Sequence, residues 1–207
     1  ITADANLLAA QSALGDAMLV GSLKNGGGIR AQIGSVEVGS GEKEPPLANP
    51  DASKPAGGVS TLDIENALRF DNKLMVFDTT EAGLKAILEH GVAVLGNQGR
   101  FPQIGGISFA VDPDAAAGER SSAPAVLDDN GTILARLVQN GVVLPNAPAT
   151  ISMVTLNFLA NGGDGYPMKA NGENFRYLLD DGTLGPVLDE SLDFGAVAPA
   201  DALGEQK

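Results

Sequence analysis

Four segments of the chain carry residue types able to hold a small polar ligand. The first, Asn25-Gly26-Gly27-Gly28-Ile29-Arg30, sets three residues without a Cβ in a row and follows them with a guanidinium. Backbone so stripped can approach a ligand closely, and the arginine fork matches a phosphate or carboxylate. It lacks Gly-Lys-Ser/Thr and is no Walker loop; a turn with a solvated Arg30 explains it equally well. The second, Arg69-Phe70-Asp71-Asn72-Lys73, puts a ring beside amides and charges. An exposed ring there would stack on a base, although spacing alone assigns Phe70 to a core. In the third, Gly99-Arg100-Phe101-Pro102-Gln103, Phe101 reads as packed and Arg100 as exposed. The fourth runs from Phe158 to Tyr166 and holds a ring, Asp164 and three glycines. A carboxylate so placed can accept two hydrogen bonds from the vicinal hydroxyls of a ribose. Gly162-Gly163-Asp164-Gly165 also resembles one unit of a calcium repeat, but such architectures need the unit repeated, and it occurs once. Asp128-Asp129-Asn130-Gly131 lacks EF-hand spacing and reads as a turn.

Other chemistries find little support. With no cysteine, disulfides, thiolate metal sites and thiol nucleophiles are excluded. A two-metal hydrolytic centre draws on several converging His and Asp ligands, and the chain has one histidine, His90, at the end of an expected helix where a capping or cationic contact is common. Asp180-Asp181 precede Gly182 and read as a solvated turn.

The elements that must position these segments follow from periodicity and punctuation. Residues 3–19 carry apolar positions at helical spacing. Leu19 to Leu23 is a short strand running into the first glycine turn, and residues 36–59 are an exposed loop rich in Gly, Pro, Ser and charge. A short helix covers 61–68, a strand Leu74 to Thr79, and a helix capped by Thr80 runs from Glu81 to about Val94. Gly105 to Val111 and Thr150 to Leu156 are strands, and Ile133 to Val143 is a hairpin around Asn140-Gly141. The tail is acidic, with one helix near 186–193. Strands and helices so mixed specify an α/β or α+β domain with a mixed sheet.

The 207 residues, 43% hydrophobic, suffice for one large domain with a real core. A net charge of −13 repels polymeric nucleic acid but leaves room for a single nucleotide beside a local arginine. No apolar run reaches the length of a membrane span.

In order along the chain, NGGGIR, a Phe-x-Asn at Phe70 and Asn72, GRFPQIGG and NFLANGGDGY resemble the C-terminal domain of 5′-nucleotidases, a family that includes UDP-sugar hydrolases and 2′,3′-cyclic phosphodiesterases. The resemblance covers roughly residues 1–170. It implies a single substrate-binding domain over 1–207, with catalysis performed by a separate N-terminal metallophosphoesterase domain that holds two divalent metal ions and is absent from this chain. Under it Phe70 and Phe158 sandwich a base, Asp164 binds ribose hydroxyls, and Arg30 contacts the phosphate side with backbone help from Gly27 and Gly28. Asn25, Asn72 and Gly99 line the base and ribose pocket. No catalytic residue, metal ligand or cofactor is then expected in this chain; its partners are a nucleotide or nucleoside and the N-terminal domain, in the periplasm or outside a bacterial cell. Two departures stand out. Asp71 replaces the family's usual glycine and adds charge near the expected site, and loop 36–59 is larger than the family's. Two rivals remain: a binding or surface module that kept the fold without catalysis, and a relative acting on thiosulfonates or sugar phosphates, which offer no base to two rings.

Overall fold

A computed structural model describes residues 1–14, 20–128, 130–139, 142–143 and 149–206. In chain order the elements are α1 (Thr2–Leu14), β1 (Gly21–Asn25), β2 (Ser35–Val36), β3 (Lys43–Glu44), α2 (Thr61–Ala67), β4 (Leu74–Thr79), α3 (Glu81–Val92), β5 (Pro102–Gly105), β6 (Ile107–Val111), β7 (Ser121–Leu127), β8 (Ile133–Arg136), β9 (Val138–Gln139), β10 (Val142–Val143), β11 (Ile151–Leu156), α4 (Asn157–Ala160), α5 (Met168–Asn171) and β12 (Gly172–Tyr177). They form two compact units: Ile1–Gly26 with Asp71–Gln206, and Gly27–Phe70.

The larger unit is built on a five-stranded sheet in the order β12-β4-β11-β1-β5. β1 and β11 run parallel, and the other pairs are antiparallel. β4 and β11 are buried nearly throughout because both their faces are covered, and four residues of six in each are apolar. Strand alternation divides their side chains between two layers. Leu74, Val76, Val154 and Leu156 meet Leu7 and Ala10 of α1, whereas Met75, Phe77 and Met153 meet Leu84, Ile87 and Leu88 of α3. The second layer also holds a run of rings, Phe77 stacked on Phe175 at 5.4 Å and Phe194 a further 5.2 Å on. α3 starts where expected, with the Thr80 hydroxyl accepting from Gly83 N at 3.1 Å.

The strand expected at 105–111 is two strands in two sheets. Gly106 breaks it at φ +69°, and a Cβ there would lie 2.7 Å from the Val20 carbonyl oxygen. Beyond the break β6, β7 and β8 form a second sheet. Glu89 of α3 anchors it by accepting from the N–H groups of Gly118, Arg120 and Ser121 at 2.9, 2.9 and 2.6 Å. Burial alone would raise this carboxyl, and the donors outweigh it, so Glu89 is held below its ordinary value.

β9 and β10 pair as the inner end of the expected hairpin, Val142 opposite Gln139, whereas Ile133–Arg136, expected in its first arm, is β8 and pairs with β7 instead; the turn, Asn140-Gly141, lies outside the described residues, as do positions 15–19 of the first expected helix. No helix forms at 186–193. Asp189 and Asp193 there accept from the backbone N–H of Ser191 and Gly195, both at side-chain oxygens, and such local bonds compete with a helix.

In the smaller unit β2 and β3 form a short hairpin inside the exposed loop. Ser60 and Asp63 close a capping box on α2, and Lys54 Nζ reaches Asp63 at 2.7 Å. Only Gly28, Ala67 and Leu68 of this unit are buried. No helix among the described residues is long and apolar enough to cross a membrane.

Candidate functional site

The sheet brings several of the expected residues to one end of the larger unit. β1 ends at Asn25, and its parallel neighbour β11 ends at Leu156, so both chains leave the sheet on the same side. The antiparallel neighbours begin there: Asn25 is opposite Pro102 at the start of β5, and Leu156 is opposite Leu74 at the start of β4. Gly99-Arg100-Phe101, Asn72-Lys73 and Asn157-Phe158 therefore enter or leave the sheet at the end where Asn25 lies. The carboxyl ends of parallel strands are where open α/β sheets accept ligands.

The loop from Phe158 to Tyr166 is tied down at several points. Asn157 exchanges two bonds with Lys73, its side-chain oxygen accepting from Lys73 N at 2.9 Å and its own N–H donating to Lys73 O at 2.8 Å. Gly162 and Gly165 take φ +91° and +76°, and between them Asp164 is left-handed at φ +54°. That conformation costs a residue with a Cβ on the order of 1 kcal/mol. Two contacts hold it. Asn25 Nδ2 donates to Asp164 Oδ2 at 2.6 Å, and His90 Nε2 lies 3.0 Å from the Asp164 carbonyl oxygen. A carbonyl only accepts, so this His90 nitrogen carries the proton. His90 in turn meets Tyr166 edge-on at 5.0 Å, and the Tyr166 hydroxyl donates to Arg100 O at 2.6 Å. Burial first, then the Asp164 charge, raise the Tyr166 phenol far above its ordinary value, so it stays a neutral donor.

Phe158 is 43% exposed, and a Cβ on Gly163 would come within 2.5 Å of its ring. Glycine at that position therefore leaves the ring its place. Phe101 is 38% exposed, against the packing expected of it, because Pro102 rather than Phe101 turns into the core. The Phe101 backbone accepts from Gly26 N at 2.8 Å, joining the Gly99 loop to the end of β1. Asn72 sits at the start of β4, its amide 3.3 Å from Glu205.

Gly27, Gly28, Arg30 and Phe70 belong to the smaller unit. Phe70 is 46% exposed, so it is not the core residue that spacing alone suggests. The Arg30 guanidinium carbon lies 5.9 Å from the centre of its ring, within cation–π range. Arg30 also donates to the Gly27 carbonyl at 3.0 Å, and its N–H to Ala67 O at 2.7 Å. Gly27 thus uses its carbonyl to hold the arginine.

The sequence marked Asn25, Asp164 and Phe158 but not the groups that fix them. His90 and Tyr166 act on Asp164 and its loop across gaps that periodicity does not register. Among the described residues no three His, Asp or Glu side chains gather as a metal site.

The mixed-sheet α/β fold of this chain is one that 5′-nucleotidases share. The chain matches the family "5′-nucleotidase, C-terminal domain" over residues 7–171, and it belongs to that family. It is 29% identical over 180 residues to the trifunctional nucleotide phosphoesterase protein YfkN of Bacillus subtilis, covering 85% of this chain and 10% of that protein. It is 29% identical to Protein 5NUC of Lutzomyia longipalpis, over 70% of this chain and 22% of that one. The structure of a 5′-nucleotidase precursor from Thermus thermophilus superposes with a TM-score of 0.56 at 30% identity, covering 80% of this chain and 27% of that one. The chain thus spans about a quarter or less of these relatives.

Proposed function

We propose that this domain recognises the base and ribose of a nucleotide on behalf of a metal-dependent phosphoester hydrolase of the 5′-nucleotidase type. The observation that carries the reading is the Asn25–Asp164 bond beside the exposed Phe158 ring, at the end of the sheet where strand ends converge. Asn25 engages one carboxylate oxygen of Asp164 and holds the group in place. The other oxygen, with the lone pairs left on the first, can accept from two adjacent ribose hydroxyls. The Phe158 face offers a stacking surface worth about 1–3 kcal/mol per base. Asn72 and Gly99 keep the pocket-lining roles that the resemblance gives them. Arg30 and Phe70 keep the roles the resemblance gives them, a phosphate contact and a stacking face, and each is tested by its own substitution.

A metal pair of the kind expected in the N-terminal domain of a longer parent supplies an activated water and charge neutralisation at phosphorus. The residues of this chain bind and orient. The isolated chain with added divalent metal is therefore expected to release no phosphate from AMP; turnover that survives repurification would contradict this. A location outside the cytoplasm belongs to the same proposal and is read by cell fractionation.

Calorimetry with adenosine, 2′-deoxyadenosine and 3′-deoxyadenosine tests the binding role. Adenosine is expected to bind, either deoxy compound to bind more weakly, and the difference to vanish in Asp164→Ala. Equal affinity for all three would sink the ribose assignment.

A further inference from the structure

The strand beside the candidate site contains a lysine that is completely buried. Lys24, one residue before Asn25, has no exposed surface, and its ammonium pairs with Glu205 Oε1. A buried ammonium demands an anion, and Glu205 comes from the last residues of the chain, beyond the 7–171 family match. The tail is stitched in place on both sides of it. Leu203 O accepts from Leu74 N at 2.9 Å, Glu205 N donates to Asn72 O at 2.8 Å, and Gln206 N donates to Asn6 Oδ1 of α1 at 3.0 Å.

The second oxygen of Glu205 has a different task. Asn72 Nδ2 donates to Glu205 Oε2 at 3.3 Å. A carboxylate only accepts, so this contact decides which end of the Asn72 amide faces the tail: the NH2 end. Asn72 Oδ1 has no partner among the described residues and is left free to accept. Neutralising Lys24 requires one oxygen of Glu205; the other sets the side-chain amide of an expected ligand contact.

We propose that Glu205 is a positioning residue for the nucleoside site, fixing the Asn72 amide so that its carbonyl oxygen is presented to the ligand. This rests on the nucleoside reading above for its consequence, though not for its geometry. It assigns a role in recognition to the end of the tail.

Two variants separate positioning from charge neutralisation in the 207-residue chain. Lys24→Met with Glu205→Leu replaces the buried pair by apolar groups of similar volume, a change that generally preserves stability, and removes the acceptor for Asn72. Glu205→Asp keeps the charge for Lys24 but is one methylene short of reaching both partners. Each is followed by thermal unfolding, by the Asn72 side-chain amide signal in a 15N NMR spectrum (assigned by its loss in Asn72→Asp), and by adenosine calorimetry. The expected result is a folded protein whose Asn72 amide signal has moved and whose adenosine affinity has fallen about fivefold, the size of one lost hydrogen bond. Asn72→Ala should fall by a similar factor, with no further loss when combined with either variant. A folded variant with the Asn72 signal unmoved and adenosine affinity intact would reduce Glu205 to a counter-ion for Lys24. If the unaltered protein binds no nucleoside, the functional reading fails, while the amide signal still decides whether Glu205 orients Asn72.

Discussion

The two glycine-rich segments at the centre of the functional reading are built in opposite ways. In the larger unit the Phe158–Tyr166 loop is clamped: Asn25, His90 and the Lys73 backbone hold it, and Asp164 keeps a left-handed conformation. In the smaller unit Arg30 is exposed and rests on the Gly27 carbonyl and the Phe70 face, in a segment with three buried residues. A preorganised group spends little free energy on ordering when a ligand arrives, whereas an exposed arginine must give up rotamer freedom. The clamped loop should therefore carry most of the affinity and the discrimination between ligands. The exposed pair should contribute a smaller increment that salt weakens.

The comparison predicts its largest effect at Asp164 and Phe158. Asp164→Ala and Phe158→Ala should each weaken adenosine binding by about ten- to a hundredfold, measured by calorimetry, from the loss of a charged acceptor or a stacking face. If instead Phe70→Ala or Arg30→Ala costs more than either, the contrast between a clamped and an exposed segment is wrong. Arg30→Ala should cost AMP binding about three- to tenfold, spare adenosine, and lose its effect in high salt.

Gly163→Ala sharpens the same point from the backbone. A methyl there would overlap the Phe158 ring at 2.5 Å, so the ring must move although no recognition group has been removed. Affinity for adenosine should drop toward that of Phe158→Ala while the unfolding temperature shifts by a few degrees at most. Unchanged affinity would show that the ring's place is immaterial to binding.

The contrast also explains what could be read from the sequence. Thr80 before a helical repeat, Ser60 three residues ahead of Asp63, and the apolar runs at Leu74 and Ile151 are local signals, and each became the expected element. The glycines around Asp164 announced a turn, and Gly162 and Gly165 take the positive φ it requires. Elements with broken local signals were not read. β7 contains Pro124, which reads as a breaker, and β12 carries Asn174 at φ +57° in a bulge that hides its alternation. The clamp itself was invisible for another reason. His90 is 74 residues from Asp164, and Glu205 is 133 from Asn72, so their roles exist only once the sheet has formed. His90→Ala is expected to keep the fold and weaken adenosine binding about two- to fivefold, since it removes one of several restraints on Asp164.

The smallest effect is expected at the far side of the comparison, in the capping box of α2. Asp63 accepts from Lys54 Nζ at 2.7 Å and from Ser60 N at 2.8 Å, and these partners, Lys54 foremost, hold its carboxyl far below the ordinary carboxylate range. A carboxyl lowered on folding contributes stability that is complete above its unfolded value, about 4, and is lost as pH falls through the folded one. Protection of the Ser60 amide from hydrogen exchange should therefore stay level from pH 7 to about 5, once the intrinsic exchange rate is divided out, and decline only in stronger acid. In Asp63→Asn the protection should be lower at every pH and the acid decline absent, because the group that titrates is gone. Glu89 is depressed in the same direction but is held by three backbone donors in the larger unit. Its partner amides Gly118, Arg120 and Ser121 should resist 0.5 M salt better than the Ser60 amide. Equal salt sensitivity at the two carboxylates would show that the smaller unit's exposed contacts are as firmly set as the larger unit's, and the contrast between the units would then need another origin than burial.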